Sequence, residues 1–250
     1  IAFVYTYLNN ILLKDNVMAA KDNAWGPAHE IGHIHQLAIN WPSSTESSNN
    51  LFSNYTLYKL GKYCSRGATL AELSNARFAQ GDAWYNMGDP THQNESTEIH
   101  LRMNWQLWNY YHRCGYKTDF WPSLFKELRE NRIVESDPGG AQLHFAKAVC
   151  KVANEDLTDF FELWGFFVPV DNVTYQQYGT WNYHVSEEMI AEAKEYMKQF
   201  PKAKHAFQYL EDRREGDVGL DVNPGDVGYF EQFKKNQKKN NSKYLSKIMK

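Results

Sequence analysis

Residues 25–36 constrain the chain most, because they contain the pattern H-E-x-x-H at His29, Glu30 and His33. On an α-helix, residues i and i+4 lie one turn apart on the same face, so both imidazoles can point toward one atom. Two imidazoles arranged in this way suit Zn²⁺. Glu30 lies beside them, where it can take a proton from water on the metal. The alternative is a helix with two ordinary histidines, because short motifs also arise by chance.

The residues around the motif favour a helix. Pro27 lacks an amide hydrogen and suits the first helical turn. Ile31, Ile34 and Leu37 form an apolar stripe at helical spacing. Gly32 costs about 1 kcal/mol relative to alanine in a helix. That cost is easiest to explain if the backbone approaches another group closely at this position.

A catalytic zinc site needs a third protein ligand. Gln36 and Ile39 stand where the longer metzincin pattern has glycine and histidine, which excludes that class. A carboxylate from a second helix is the remaining source. Ser44 or Thr45 is a good N-cap for such a helix, and Glu46 then falls in its first turn.

The second helix is predicted to run without interruption to Leu60, followed by a C-capping glycine. The loop at residues 41–43 is short, so the two helices should pack antiparallel and return Glu46 toward the middle of the first one. Glu46 is otherwise a carboxylate favoured by the dipole at a helix N-terminus. The competing carboxylates further along the chain are Glu72, Glu95 and Glu98.

Three segments carry a family resemblance. They read H-E-I-G-H at residues 29–33, W-P-S-S-T-E-S-S-N-N-L-F-S-N-Y at 41–55, and D-L-T-D-F-F-E-L-W-G-F-F at 156–167. Together they resemble the enhancin-like gluzincin zinc peptidases, metallopeptidase family sixty, and particularly its mucin-degrading bacterial members. The resemblance spans residues 1 to about 200 and is most specific at 25–60.

The resemblance implies a function and its residues. It implies Zn²⁺ as the cofactor, with His29, His33 and Glu46 as ligands and Glu30 as the general base. It further implies cleavage of peptide bonds in O-glycosylated, mucin-like glycoproteins by a secreted or cell-surface bacterial protein. Two alternatives stay open: a glycoprotein- or carbohydrate-binding module with a vestigial metal site, and a zinc hydrolase acting on another amide or an ester.

The predicted fold class is α+β and predominantly α-helical, a zincin (gluzincin) catalytic lobe. Zincin sites normally lie between a β-sheet lobe and a helical lobe, and only 28 residues precede the motif here. Residues 1–8 alternate like a β-strand, so we expect an incomplete N-terminal β part. An upstream sheet lobe or carbohydrate-binding domains would then belong to a longer protein. Residues 1–200 are the predicted catalytic domain, and residues 201–250 a C-terminal helical extension and basic tail.

Helical periodicity recurs along the rest of the chain. Two of the predicted helices carry clear apolar stripes, which are Leu101, Trp105, Trp108 and Tyr111 in one and Phe120, Leu124 and Leu128 in the other. Glycines after Pro138 predict a break at residues 138–140. The predicted helices cover residues 95–113, 119–131, 142–153, 157–164 and 187–200, with Asp156 and Ser186 as caps of the last two, and a further helix follows at 202–214.

Residues 171–185 are dense in aromatic rings and hydrogen-bond donors. Zinc peptidases need a donor to stabilise the oxyanion of the reaction, and Tyr178, Tyr183 or His184 can serve. Trp181 can stack on a sugar ring. The alternative is an ordinary aromatic-rich hairpin with no contact to substrate.

Charge and cysteine content exclude other classes. The net charge of −3 gives no sign of nucleic-acid binding. The most apolar run, residues 160–170, is too short to span a membrane and contains Glu162. The three cysteines show no C-x-x-C spacing, and their odd number leaves at least one thiol free unless it pairs outside the chain.

Overall fold

The computed structural model of the chain describes residues 24–59, 93–113, 116–134 and 136–203. This part is predominantly helical with one two-stranded antiparallel sheet, so the α+β fold class is confirmed. The α-helices and β-strands are α1 (Trp25–His35), α2 (Thr45–Ser48), α3 (Asn50–Lys59), α4 (Gln93–Trp108), α5 (Phe120–Glu130), α6 (Pro138–Ala153), α7 (Thr158–Leu163), β1 (Val170–Gln176), β2 (Thr180–Val185) and α8 (Glu187–Met197). A 3-10 helix (Gln36–Ile39) follows α1, and a π-helical turn (Asn109–Arg113) follows α4. The predicted strand at residues 1–8, the tail and most of the helix expected at 202–214 lie outside the described residues.

Aromatic side chains fill the main core between α4, α5, α6 and α7. Both predicted apolar stripes are confirmed, because every member of each is buried. Trp105 stacks on Trp108 with ring centroids 4.3 Å apart, and Tyr111 stacks on Phe120 at the same distance. Cys150 is a free thiol within this core. None of the described helices is long and apolar enough to cross a membrane.

The predicted break at residues 138–140 is wrong, because α6 already begins at Pro138. The Asp137 side chain accepts a hydrogen bond from the Gly140 amide at 3.0 Å and caps the helix. Pro138 occupies the first turn, where a missing amide hydrogen costs nothing. A Cβ on Gly139 would lie 1.9 Å from the His184 carbonyl oxygen, so this glycine permits close packing of the helix on β2.

The apolar stripe of α1 does not face the core of the described structure. Ile31 is 42% exposed, and Ile34 and Leu37 are each 69% exposed. The helix instead buries the face that carries Ala28 and Gly32. Small residues on that face let α3 approach α1 closely, and this packing decides which side of the helix points inward.

The predicted continuous second helix is divided in the structure. Asn49 separates α2 from α3, although its backbone keeps α-helical angles. Ser44 precedes α2, but its side chain does not cap that helix. Its hydroxyl instead donates to the Ile39 carbonyl at 3.1 Å and so stabilises the loop between α1 and α2.

The hairpin formed by β1 and β2 packs one face on the helices. Val170, Tyr183 and Val185 lie in a second apolar cluster with Leu143 of α6 and Ile190 of α8. The opposite face is exposed and polar. The strands are therefore fixed at their base, and the turn at residues 177–179 projects away from this cluster.

The N-cap of α7 is Leu157 and not Asp156 as predicted, but Asp156 lies one residue earlier and still bonds to the start of the helix. Its carboxylate accepts a hydrogen bond from the Thr158 amide at 2.9 Å and lies 3.1 Å from the Lys202 ammonium. Burial alone would raise the pKa of Asp156, but the bonds from Thr158 and Lys202 outweigh burial and the pKa is lowered.

Asp156→Ala is expected to lower the free energy of unfolding by about 1–2 kcal/mol at pH 7, the usual range when a side chain that bonds an amide at a helix start is removed. The folded-state pKa lies below the unfolded value of about 3.9. The carboxylate therefore stabilises the fold above that pH, and the contribution is lost as the pH falls through the folded-state pKa. Urea unfolding at pH 7 and near pH 2 checks this, since the difference from wild type should shrink in acid. Asp159→Ala, which removes the exposed partner of the same lysine, should change stability little.

Candidate metal centre

The two histidines of the motif lie one turn apart on α1. The helix begins at Trp25, and Pro27 is in its first turn, as predicted. The rings of His29 and His33 meet edge to face with centroids 4.8 Å apart. Both rings are partly exposed, so the imidazoles form one wall of an accessible site.

Glu46, in the first turn of α2, completes the group. Its Oε2 lies 3.3 Å from Nε2 of His29, and its Oε1 lies 3.8 Å from Nε2 of His33. The three candidate ligand atoms all lie within 4.8 Å of one another, and among the described residues this is the group found that could hold a metal ion. The competing carboxylates fall outside the part that the structure describes, namely residue Glu72 and the side chains of Glu95 and Glu98.

The short loop between the helices determines where Glu46 lies. Ser43 has a left-handed backbone (φ 82°), and the Ser44 amide donates to the Trp41 carbonyl at 2.9 Å. This turn reverses the chain after α1, so α3 packs beside α1. Gly32 is needed at the contact, because a Cβ there would lie 2.6 Å from the Asn49 carbonyl oxygen. The predicted close approach at Gly32 is therefore real, and its partner is the backbone at Asn49.

Amide side chains surround the two imidazoles. Oδ1 of Asn50 lies 2.7 Å from Nδ1 of His29, and Nδ2 of Asn50 donates to the Glu46 carbonyl at 2.7 Å. With Nδ1–H donating to Asn50, Nε2 of His29 is left as the metal-ligating nitrogen. Gln36 lies 3.2 Å from Nδ1 of His33 through its Nε2. Nδ1 of each ring thus faces an amide side chain, through its oxygen at His29 but through its NH2 group at His33, so ligation of a metal by Nε2 of His33 requires the Gln36 amide to turn its oxygen toward the ring.

Asn49 and Ser48 complete the surroundings. Nδ2 of Asn49 lies 3.1 Å from Nε2 of His29 and 3.0 Å from Nε2 of His33. Ser48 donates its hydroxyl to Oε1 of Gln36 at 3.0 Å and so holds that amide in place. Sequence reasoning missed Gln36, Asn49 and Asn50. For two of them the sequence held a sign of the contact, which is helical spacing. Gln36 comes three residues after His33, and Asn50 comes four residues after Glu46.

The charges at the site suit a cation. Burial would raise the pKa of Glu46, but the hydrogen bonds from His29 and Tyr178 outweigh it and the pKa is lowered. Burial lowers the pKa of His33. Burial acts in the same direction on His29, but hydrogen bonds to Glu46 and Asn50 prevail and raise its pKa. The lowered pKa values of Glu46 and His33 favour the ionised carboxylate and the neutral imidazole, which are the forms that bind a metal, whereas the raised pKa of His29 favours a proton that a metal would displace.

The donor set fits zinc. Two imidazole nitrogens and one carboxylate oxygen form a known catalytic set that leaves a fourth position open. Ligand bonds of about 2.0–2.2 Å in a tetrahedron place ligand atoms roughly 3.4 Å apart. The separation of 3.3 Å between Nε2 of His29 and Oε2 of Glu46 matches this value. The separation of 3.8 Å between Nε2 of His33 and the other oxygen, Oε1, is wider, and the three ligand atoms together lie within 4.8 Å of one another.

The remaining predicted residues lie in different places. Glu30 is half-buried on α1 and interacts electrostatically with both histidines, so it lies beside the ligand group without belonging to it. Tyr178 reaches the site, because its hydroxyl donates to Oε1 of Glu46. This hydrogen bond raises the pKa of Tyr178 to about 12.

The structure does not bring the other three aromatic candidates to the ligand group. Tyr183 is a core residue, contrary to the prediction, and its hydroxyl donates to Oε1 of Gln142. Trp181 is half-buried, and its indole donates to the Gln177 carbonyl at 2.8 Å. His184 lies further along β2, where its backbone packs against Gly139. Strand alternation explains the burial of Tyr183, because its face of the hairpin covers α6 and α8.

The chain is similar to known proteins over most of its length. Residues 5–165 match the family described as peptidase M60, enhancin and enhancin-like. A solved structure of a metallopeptidase from Bacteroides thetaiotaomicron shares 66% sequence identity at a TM-score of 0.80, over 93% of this chain and 40% of that chain. A structure of a metallopeptidase in complex with Tn antigen also shares 66% identity, at a TM-score of 0.81, over 93% of this chain and 44% of that chain.

The chain therefore spans less than half the length of these two solved structures. No curated protein matches it.

Proposed function

Because this chain belongs to the peptidase M60, enhancin and enhancin-like family, we propose that it carries the catalytic site of a zinc-dependent endopeptidase. The observation that carries the proposal is the approach of His29, His33 and Glu46 to one another, with their ligand atoms within 4.8 Å. His29 and His33 would hold the zinc through Nε2, and Glu46 through its carboxylate. When bound, the ion would supply Lewis-acid chemistry, polarising the peptide carbonyl and making water more acidic.

The protein's own residues then move the protons. Glu30 takes the proton from the water that attacks the peptide carbonyl and passes it to the leaving amine. Its position next to His29 in the sequence and its half-buried place beside the ligand group support this role. Asn50 keeps the His29 ring in one orientation during these steps through the bond of 2.7 Å.

The substrate class proposed is O-glycosylated, mucin-like glycoprotein. The support is the solved metallopeptidase in complex with Tn antigen, a glycan of mucin-like glycoproteins, which is 66% identical to this chain over the 44% of its own length that aligns. Substrates of this kind are displayed outside cells, so we also propose a secreted or cell-surface location in a bacterium. Upstream lobes or carbohydrate-binding domains of a longer protein would assist in binding them.

Digestion of a glycopeptide tests the proposal. The protein should cleave a mucin-type peptide that carries Tn antigen at least tenfold faster than the same peptide without sugar, since even a small pocket contact discriminates by about tenfold or more. Treatment with a zinc chelator should abolish cleavage, and added zinc should restore it. Binding of the glycopeptide without cleavage by the zinc-loaded protein would favour the alternative of a binding module. Equal cleavage of both peptides would reject the glycan requirement but would leave the proposed peptidase activity standing.

A further inference from the structure

The tip of the β1–β2 hairpin crosses to the metal centre. Its central residue, Tyr178, has a left-handed backbone (φ 53°) and is 81% exposed. The phenol nevertheless extends over α2, and its hydroxyl donates a hydrogen bond to Oε1 of Glu46. These two residues are 132 positions apart in the sequence. A contact made by an exposed ring in a strained turn calls for an explanation other than core packing.

The same tip makes a second contact with the segment that bears Glu46. Oε1 of Gln177 accepts a hydrogen bond from the Ser43 amide at 2.6 Å. Ser43 is the left-handed residue of the loop between α1 and α2, and it is buried. The hairpin tip therefore makes two contacts with this segment. One is to the backbone of the loop before α2, and the other is to the side chain of Glu46 in α2.

The tip itself is well fixed. The Gln177 amide donates to the Gly179 carbonyl at 3.0 Å, and the Trp181 indole donates to the Gln177 carbonyl at 2.8 Å. At the other end of the hairpin, Val170 and Val185 pair in the register of the strands and are buried in the second apolar cluster. The hairpin can therefore act as a rigid support for residues that it touches.

We propose that the hairpin tip is the outer support of the metal centre, in which Tyr178 fixes the rotamer of Glu46 and Gln177 fixes the loop residue Ser43. The bond from Tyr178 engages Oε1 of Glu46, the oxygen 3.8 Å from Nε2 of His33, and leaves Oε2, 3.3 Å from Nε2 of His29, as the oxygen available to the ion. Tyr178 is thus a positioning residue that acts through Glu46. The inference rests on the proposed function, because it takes Glu46 to be a metal ligand.

This role differs measurably from that of an oxyanion donor. A donor to the oxyanion acts in the transition state, so its removal lowers kcat and leaves zinc affinity unchanged. Outer residues that hold a metal ligand affect the affinity for the metal itself, by about 10–100-fold when removed. Zinc affinity therefore separates the two roles of Tyr178 without any measurement of cleavage.

The experiment measures the zinc dissociation constant of the full chain by competition with a chromophoric chelator. Tyr178→Phe keeps the ring and removes only the hydroxyl, and it should weaken zinc binding about tenfold or more. Gln177→Met removes the contact with Ser43 and should also weaken zinc binding. Tyr196→Phe is the matched control, because Tyr196 lies in α8 and its ring packs on Phe200, just after that helix. The zinc affinity of this variant should equal that of wild type. With cobalt in place of zinc, the visible spectrum of Tyr178→Phe should differ from that of wild type. The spectrum of Tyr196→Phe should not.

The outcomes separate this inference from the proposed function. If wild type binds zinc and Tyr178→Phe binds it equally tightly, the positioning role is wrong while the metal centre stands. If wild type binds no zinc, the proposed function fails and the positioning role fails with it. Circular dichroism of each variant shows whether the fold is retained, and weakened binding counts for the proposal only in a folded variant.

Discussion

Glu30→Gln is expected to lower kcat by about 10²–10⁴-fold, the usual contribution of a general base. The amide has nearly the same shape as the carboxylate but cannot take the proton from water. Glu30 is not one of the three residues whose ligand atoms lie together, so the zinc content should stay at one ion per chain. Single-turnover cleavage of a glycopeptide, combined with metal analysis of the same sample, measures both quantities.

Glu192→Gln is a suitable control for this substitution. Glu192 is an exposed residue on α8, and its conversion to an amide should leave both cleavage and zinc content unchanged. Loss of zinc together with activity in Glu30→Gln would mean that Glu30 is a ligand and that the roles are wrongly assigned. Full activity of the variant would mean that another group is the base.

Glu46→Ala is expected to weaken zinc binding more than ~100-fold, because removal of an outer partner of a ligand already costs about 10–100-fold. Cleavage should be lost in parallel. The fold should be retained, because Asn50 bonds to the backbone carbonyl of Glu46 and not to its side chain. Excess zinc should raise the melting temperature of wild type, as any ligand of the folded state does, and should not raise that of the variant.

The control for Glu46→Ala is a histidine outside the ligand group. His35 is exposed on α1 next to Phe52, so His35→Ala should bind zinc as wild type does. If zinc still stabilises Glu46→Ala as much as wild type, the third ligand lies elsewhere. The carboxylates of Glu72, Glu95 and Glu98 would then be examined in turn.

The local part of the site was predictable from sequence. His29 and His33 depend only on the period of a helix, which a four-residue spacing specifies. The position of Glu46 depends on one short loop. Because the turn lies within residues 41–44, the helix that follows it must pack beside α1. Gly32 marked the contact between those helices because a glycine costs stability inside a helix unless something lies close to it.

The outer contacts of the site were not predictable in the same way. Asn50 and Gln36 are amides of a common kind, and only the packing of α3 on α1 selects them as partners of the imidazoles. The contact of Tyr178 with Glu46 joins segments 132 residues apart. Strand alternation shows which residues share a face of the hairpin with Tyr183. It does not show which of the two faces meets the helices, so the burial of Tyr183 could not be predicted.

The start of α6 shows how local rules compete. Glycines after Pro138 favour a break, yet the Asp137 cap and the first-turn proline favour a helix, and the helix forms. Close packing of Gly139 on the His184 carbonyl decides between them. The exposed stripe of α1 is a similar case, because small residues on another face allowed closer packing than the larger apolar ones.

We expect His29, His33 and Glu46 to bind one zinc ion between them. Anomalous diffraction from a crystal of the zinc-loaded protein, measured on both sides of the zinc absorption edge, tests it most directly. One anomalous peak is expected about 2.0–2.2 Å from Nε2 of both histidines and from a carboxylate oxygen of Glu46. A zinc peak that lies elsewhere, or one bonded to the histidines with the Glu46 carboxylate turned away, would contradict it.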